Sequence, residues 1–254
     1  MAKDNNLTDF LTDVADAIRE KKGTTEPINP QDFSAEIASI ETGGGEVDER
    51  VALILTNKIT SLASDITSLR QYALRGCSNL KDVDLPEVSI VNSNALYGTG
   101  LTELSLPKCT KFDSSACDAC ASLVSVSLPI LTTIGNYALR NCTALVNVDL
   151  TSCKTFGSSV LYGCTKLQKL ILPACTSIGT TCFQNAKLLD TVVLESDTVA
   201  TLSNTNAFSG TAIASKTGYI YVPSVLVDSY KSASNWATYA SQIRAIEDYP
   251  EIYD

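Results

Sequence analysis

Apolar residues return along this chain at a fixed interval. Leu80, Val83 and Leu85 set out an L-x-x-L-x-L pattern that comes back at Leu101/Leu104/Leu106, Leu123/Val126/Leu128, Leu145/Val148/Leu150, Leu167/Leu170/Leu172 and Leu189/Val192/Leu194, in steps of 21 or 22 residues. A period in this range means a solenoid, because one unit cannot bury its apolar face alone and must stack on its neighbours. The last two members of each set share one face of a strand, which predicts one short strand per unit and a parallel sheet. A second ladder precedes each strand: Leu69, Val91, Phe112, Ile134, Phe156 and Ile178, followed five residues later by Leu74, Leu96, Cys117, Leu139, Leu161 and Phe183. Small residues such as Ala73, Ala95, Ala116 and Ala138 lead this second limb, which therefore reads as a short helix or helical turn behind the sheet. Burying each large apolar side chain contributes roughly 1.5–3 kcal/mol, enough over so many copies to make a core. Pro86, Pro107, Pro129 and Pro173 follow the strands and stop them by removing a donor.

The repeats resemble the BspA-like leucine-rich repeats, whose units read approximately T-x-I-G-x-x-A-F-x-x-C-x-x-L-x-x-V-x-L-P. TTIGNYALRNCTALVNVDL (132–150) and TSIGTTCFQNAKLLDTVVL (176–194) carry the likeness, which extends over residues 66–223. It implies an α/β solenoid of short parallel strands and short helical limbs. No catalytic residue is implied, since a repeat scaffold serves many partners.

Nine cysteines invite a disulfide or metal reading. Their positions argue instead for packing. Cys77, Cys120, Cys142 and Cys164 share one ladder position with Thr99 and Ala186, and Cys109, Cys153 and Cys175 share another, while Cys117 and Cys182 stand in for the Leu/Phe of the second limb. Cysteine in such places is a small hydrophobe. Cys117-x-x-Cys120 has no second pair, and the chain has no histidine, so no metal site is expected. Without histidine the commonest general base is missing, and no phosphate-binding or nucleophile motif is present. Asp82 and Asp84 read as solvated strand residues, so no enzyme and no cofactor are expected. A formal charge of −9 and a pI near 4.6 disfavour nucleic acid and anionic membranes as partners, and no apolar run reaches the ~20 residues of a membrane span. The start MAKDNNLTDF lacks the features of an export signal, which predicts synthesis in a cytoplasm with thiols kept reduced.

Residues 1–42 are a different object. Phe10, Leu11, Val14, Ala17 and Ile18 have helical spacing, Gly23 follows as a C-cap, and Phe33, Ile37 and Ile40 mark a second short helix after Pro27 and Pro30. A helical hairpin of this size needs a partner surface. Residues 43–65 open with Gly43, Gly44 and Gly45, a flexible joint. Leu55, Ile59, Leu62, Ile66 and Leu69 then follow at intervals of 4, 3, 4 and 3. That spacing suits a short coiled coil, trimeric by preference, or a helix or degenerate repeat closing the first face of the solenoid. LTDVADAIREKKGTTEPINPQDFSAEIASI (11–40) resembles a short module at the front of structural and tail-associated proteins of bacteriophages from gut bacteria. Residues 221–249 are similar to the segment that often closes BspA-like arrays in such proteins. With Val225, Leu226, Tyr230, Trp236, Tyr239 and Ile243 apolar in a polar background, residues 224–254 read as a helical cap anchored by Trp236.

Between the buried strand positions lie Asp82/Asp84, Glu103/Ser105, Ser125/Ser127, Asn147/Asp149, Lys169/Ile171, Thr191/Val193 and Tyr219/Tyr221, expected to face solvent as the binding surface of the array. At its C-terminal end Lys169, Ile171, Thr191, Val193, Tyr219 and Tyr221 form an apolar and aromatic patch suited to a sugar ring or a protein, unless the C-terminal segment folds over it. Phe10, Val14, Ile18, Phe33, Ile37, Leu55, Ile59 and Leu62 are the expected docking and oligomerisation residues. The resemblances together imply a non-enzymatic virion protein of a bacteriophage tail or fibre, docked to other virion proteins by residues 1–42, its repeats displayed toward a glycan or protein of the host surface. The alternatives are a structural virion part whose repeats touch only virion subunits, and a bacterial surface adhesin of the BspA type.

Overall fold

A computed structural model describes residues 60–253. Two rows of short strands run the length of the array, joined within each coil by a turn on one side, opened by Pro86, Pro107, Pro129 or Pro173 in four of them, and a run of turns on the other. The front row comprises Ser61–Ala63, Asp82–Asp84, Glu103–Ser105, Ser125–Ser127, Asn147–Asp149, Lys169–Leu172, Thr191–Leu194, Tyr219–Val222 and Ile243–Ala245. The rear row comprises Ser68–Leu69, Ile90–Val91, Lys111–Phe112, Thr133–Ile134, Thr155–Phe156, Ser177–Ile178 and Thr201–Leu202. All pairings in both rows are parallel and in register, Val126 beside Leu104 and Val148, Ile134 beside Phe112 and Phe156. The rear row is one continuous sheet, whereas the front row is interrupted into three.

One apolar core runs through the interior from Leu62 to Ile243. The front strands fill it with Leu104, Val126, Leu170 and Val192, the rear strands with Phe112, Ile134, Phe156 and Ile178, all buried. Coils lie so close beside the rear row that a Cβ at Gly179 would meet the Gly157 carbonyl group at 2.5 Å. That contact accounts for glycine after the rear strand of this coil.

The second limb is a run of turns rather than a helix in every coil but the last, where Thr205–Phe208 forms a short 3-10 helix. Between the rear strand and the next front strand the other six coils make a run of turns with two left-handed residues: Tyr72 and Gly76, Asn94 and Gly98, Ser115 and Ala119, Tyr137 and Asn141, Ser159 and Gly163, Thr181 and Asn185. Alternate N–H groups in the run point along the solenoid axis. Asn94, Leu96 and Gly98 donate to the carbonyls of Ser114, Ala116 and Asp118, and Ser115, Cys117 and Ala119 donate to those of Asn136, Ala138 and Arg140. A helix would bond these groups within its own coil; here they join each coil to the next.

The N-terminal edge also differs from the coiled-coil expectation. Leu62 sits in a front strand opposite Val83, and Leu62, Ile66 and Leu69 are buried in the core, so the 4-3 spacing belongs to a degenerate first coil that has begun by Ser61. The same spacing serves both, because a front strand, a turn and a rear strand also place inward residues 3 and 4 apart. Phe10, Val14, Ile18, Phe33, Ile37, Leu55 and Ile59 lie outside the described residues, as does the helical module of residues 1–42.

The C-terminal cap is mixed rather than helical. A 3-10 turn at Ser224–Leu226 leads into α1, Val227–Ser232, then a longer 3-10 stretch at Trp236–Gln242 and the last front strand, Ile243–Ala245. Its side chains close the exposed edge of the last rear strand. Trp236 Nε1 donates to the Ala200 carbonyl at 2.6 Å, the Tyr230 hydroxyl accepts from the Ala200 N–H at 2.9 Å, Asn235 Nδ2 donates to the Leu202 carbonyl, and the Tyr239 hydroxyl donates to that of Thr205. Buried polar groups at a strand end need such partners. Phe183, Phe208, Tyr239, Trp236 and Tyr230 form a continuous aromatic chain beneath them.

Candidate binding face

Alternate residues of the front strands point away from the core, and their sizes set the relief of the surface. Asp82, Asp84 and Glu103 stand exposed at the N-terminal side, followed by the short side chains of Ser105, Ser125 and Ser127. Beyond them the front row is interrupted: Asn147–Asp149 pairs with Ser125–Ser127, but the next sheet starts at Lys169–Leu172. Small side chains beside an interrupted ladder leave a groove of about 500 Å³, lined by Glu103, Ser105, Ser125, Ser127, Val146, Asn147, Asp149, Gln168, Lys169 and Ile171. Its size lies within the usual range of small-ligand sites.

The exposed lining of the groove is more apolar than polar, Val146 and Ile171 contributing to it, and polar side chains are set into that lining. Ser127 Oγ donates to Asp149 Oδ2 at 2.9 Å, and the Thr151 N–H reaches Asp149 Oδ1, so that carboxylate is held in place across two strands. Carboxylates at Glu103 and Asp149, amides at Asn147 and Gln168, three hydroxyls and the Lys169 ammonium give donors and acceptors in both senses.

Toward the C-terminus the front face is covered. Val193 is fully buried and Tyr221 is 8% exposed, in a second small core with Ile252 to which Ile171, Ile246 and Tyr249 add. The exposure expected of Val193 and Tyr221 is thus corrected: the segment after the last front strand folds back over them. Tyr221 and Tyr249 meet edge to face at 5.4 Å, and the Tyr253 hydroxyl donates to Glu195 Oε1 at 2.7 Å. Burial raises the Tyr221 hydroxyl pKa, and burial followed by the Glu195 carboxylate pushes that of Tyr253 up to about 12. Of the residues expected to bind, Lys169 and Ile171 line the groove. Thr191 is half-buried, and Tyr219 lies outside the groove beneath the Arg244 guanidinium, 4.6 Å from its ring centre.

Glu103, Ser105, Ser125, Ser127, Asn147 and Asp149 were legible as outward residues, yet nothing in the repeat marks them as a groove. The available signal was the run of serines, which lowers the surface between larger neighbours. The gap in the ladder has no counterpart in the apolar pattern, since Leu145, Val148, Leu150 and Leu167, Leu170, Leu172 are regular on both sides of it.

The nine cysteines are all buried and unpaired. Seven occupy the ladder positions read from the repeat, and Cys117 takes the place of Leu74, Leu96 and Leu139; Cys182 falls in the column of Ala116, Ala138 and Val160 instead, one place from the large apolar ladder. Desolvation raises the thiol pKa of Cys77 and Cys109 to about 11 and of Cys153, Cys164 and Cys175 to about 12. Among the described residues no group of three or more histidine, cysteine or acidic side chains is placed to hold a metal ion, and no helix is long and apolar enough to cross a membrane.

Stacked coils, parallel strand rows and an outward strand face define a leucine-rich repeat solenoid. More narrowly, the sequence matches the BspA type leucine rich repeat region in six copies, over residues 54–124 and 110–232, and the chain belongs to that family. It is similar to a solved leucine-rich repeat protein from Bacteroides ovatus, with 16% identity and a TM-score of 0.41 over 68% of this chain and 57% of that one. A leucine rich cell surface protein from Faecalibacterium prausnitzii is similar at 19% identity and a TM-score of 0.41, over 75% of this chain and 65% of that one. The chain thus spans about three fifths of the length of these structures. No curated protein matches it.

Proposed function

We propose that this protein is a non-enzymatic recognition protein of a bacteriophage tail or fibre, which binds a glycan or protein of the host surface through the groove between Ser105 and Ile171. The groove carries the reading: a preorganised depression, apolar over most of its lining and set with polar side chains, on the outward face of a rigid repeat array. Rigid sheets hold Asp149, Asn147 and the serines at fixed spacing, so little entropy is lost on binding. The likeness of residues 11–40 to modules of phage tail-associated proteins supports attachment to a particle, with that segment meeting other virion proteins. Membership of the BspA-type family favours a second reading, an adhesin on a bacterial surface that uses the same groove.

The test compares the full chain with a Ser125→Arg/Ser127→Arg variant for binding to cells and wall polysaccharide of a candidate host, alongside antibody labelling of purified virions. Binding lost in a variant of unchanged melting temperature, together with labelled virions, is the expected result. Equal binding by both proteins would remove the groove from the proposal. Labelled virions without binding by either protein would leave a structural virion part, and labelled bacterial cells without labelled virions would leave the adhesin.

A further inference from the structure

The turn run of each coil brings two ladder positions together. Its fourth-from-last and last residues are Leu74/Cys77, Leu96/Thr99, Cys117/Cys120, Leu139/Cys142, Leu161/Cys164 and Phe183/Ala186. Only the third of these coils has cysteine at both positions. There the two sulfurs lie 2.7 Å apart, Cys117 donating to Cys120. Cys142 donates to the Cys117 carbonyl and its sulfur also lies within contact of those of Cys117 and Cys120, the third member of this cluster, while the others point elsewhere: Cys109 to the Lys111 carbonyl, Cys153 to that of Thr155, Cys164 to that of Leu139 and Cys175 to that of Ser177.

We infer that Cys117 and Cys120 are a disulfide site of the folded protein, closed by a peroxide-class oxidant. The sulfurs need to approach by less than about 1 Å to reach the ~2.05 Å of the bond. The backbone between them is already held, since the Cys117 and Ala119 N–H groups donate to Ala138 and Arg140 of the next coil. Ala119, left-handed at φ 59° and only half-buried, bends the chain back so that the two side chains meet. The Cys120 sulfur also contacts the Thr99 hydroxyl at 3.3 Å, a polar neighbour for the attacking thiolate.

The chemistry runs in two steps. The Cys120 thiolate attacks one peroxide oxygen, the O–O bond breaks, hydroxide leaves, and a sulfenic acid forms. The Cys117 sulfur then attacks the Cys120 sulfur, the S–O bond breaks, and the oxygen leaves as water with the Cys117 proton. Two thiols and one hydrogen peroxide thus give one disulfide and two waters. Both atoms belong to one turn, so the bond joins no two coils and closure leaves the stacking in place. Oxidation of any other buried cysteine to an acid would place a charge inside the apolar core.

Trypsin allows the site to be read directly. Lys111 and Arg140 bound a peptide, 112–140, whose cysteines are Cys117 and Cys120, whereas the following peptide, 141–154, carries Cys142 and Cys153. The full-length folded protein is treated with hydrogen peroxide, denatured, alkylated, digested and weighed. The expected result is a fall from nine alkylatable thiols to seven, with peptide 112–140 recovered unalkylated and two hydrogens lighter while circular dichroism is unchanged. Cys120→Ala is expected to keep its eight remaining thiols under the same treatment. Two alkylated cysteines in 112–140 after exposure to peroxide, a cross-link to 141–154, or closure only once the dichroism signal is lost would each overturn the assignment. The wild-type measurement decides the matter even where the variant fails to fold.

Discussion

Trp236 packs against Tyr230 at 5.1 Å and Phe208 at 6.0 Å between ring centres, and its indole N–H is the partner of a strand-end carbonyl. Trp236→Ala is expected to cost about 3–5 kcal/mol, seen as a lower urea midpoint, and Trp236→Phe less, because the phenyl ring restores packing but leaves the Ala200 carbonyl without its donor. The buried thiols give a second residue-scale expectation. Their folded pKa values, about 11 to 12, lie above the ordinary value, so below pH 9 both folded and unfolded thiols stay protonated and stability is unaffected. Above it the unfolded chain loses protons first and stability falls as pH rises toward 12, by up to about 1.4 kcal/mol per pH unit for each thiol. Melting temperatures between pH 8 and 11 check this, and Cys153→Ala/Cys175→Ala should flatten the decline. Trp236 was legible as an anchor because a lone large aromatic in a polar background has few other roles. Val193 was not: strand alternation points it outward, and what buries it is Ile252, far along the chain, which no local pattern announces.

At the scale of the element, the turn runs carry the most specific demands. Ala119 occupies a left-handed position that Gly76, Gly98 and Gly163 fill in other coils. Ala119→Gly is expected to stabilise the protein by up to about 1 kcal/mol, and Gly163→Ala to cost about 1–2 kcal/mol. Calorimetry on the two variants reads opposite signs, and equal signs would show that the turn conformation does not control stability here. Apolar spacing revealed which side chains of this limb face inward, since Leu74, Leu96 and Leu139 lie where expected. It could not reveal where the N–H groups go, and that choice separates a helix from a ladder of turns. The glycine or asparagine one place before Cys77, Thr99, Cys142 and Cys164 was the local signal for the turns.

Across the whole molecule, the front face divides into an open groove and a covered end. Tyr249→Ala/Ile252→Ala is expected to loosen the C-terminal segment and bare Ile171, Val193 and Tyr221. Increased binding of an apolar dye and earlier proteolysis beyond Ala245 would register this, with little change in the main unfolding transition, since these side chains belong to the smaller core. No gain in dye binding would mean that the segment is held mainly by the Glu247 contacts to Ser224 and the Tyr253 contact to Glu195. The solenoid, its parallel strands and its period were legible in the sequence, because every copy repeats the same statement. The covered end, which depends on chain folding back once, is stated only once.

The ladder of turns also gives the array an electrical direction. In the four inner turn runs, those at Asn94–Gly98, Ser115–Ala119, Tyr137–Asn141 and Ser159–Gly163, three peptide units accept from the preceding coil and donate to the following one, as the Ser93 carbonyl and Asn94 N–H do. Their dipoles therefore add along the axis, with N–H groups facing the C-terminal end and carbonyls the N-terminal end, the reverse of an α-helix read from N to C. The solenoid is a stack of aligned dipoles down one side, positive toward the cap, and the first coil, which carries Arg75, is the end where a cation is favoured.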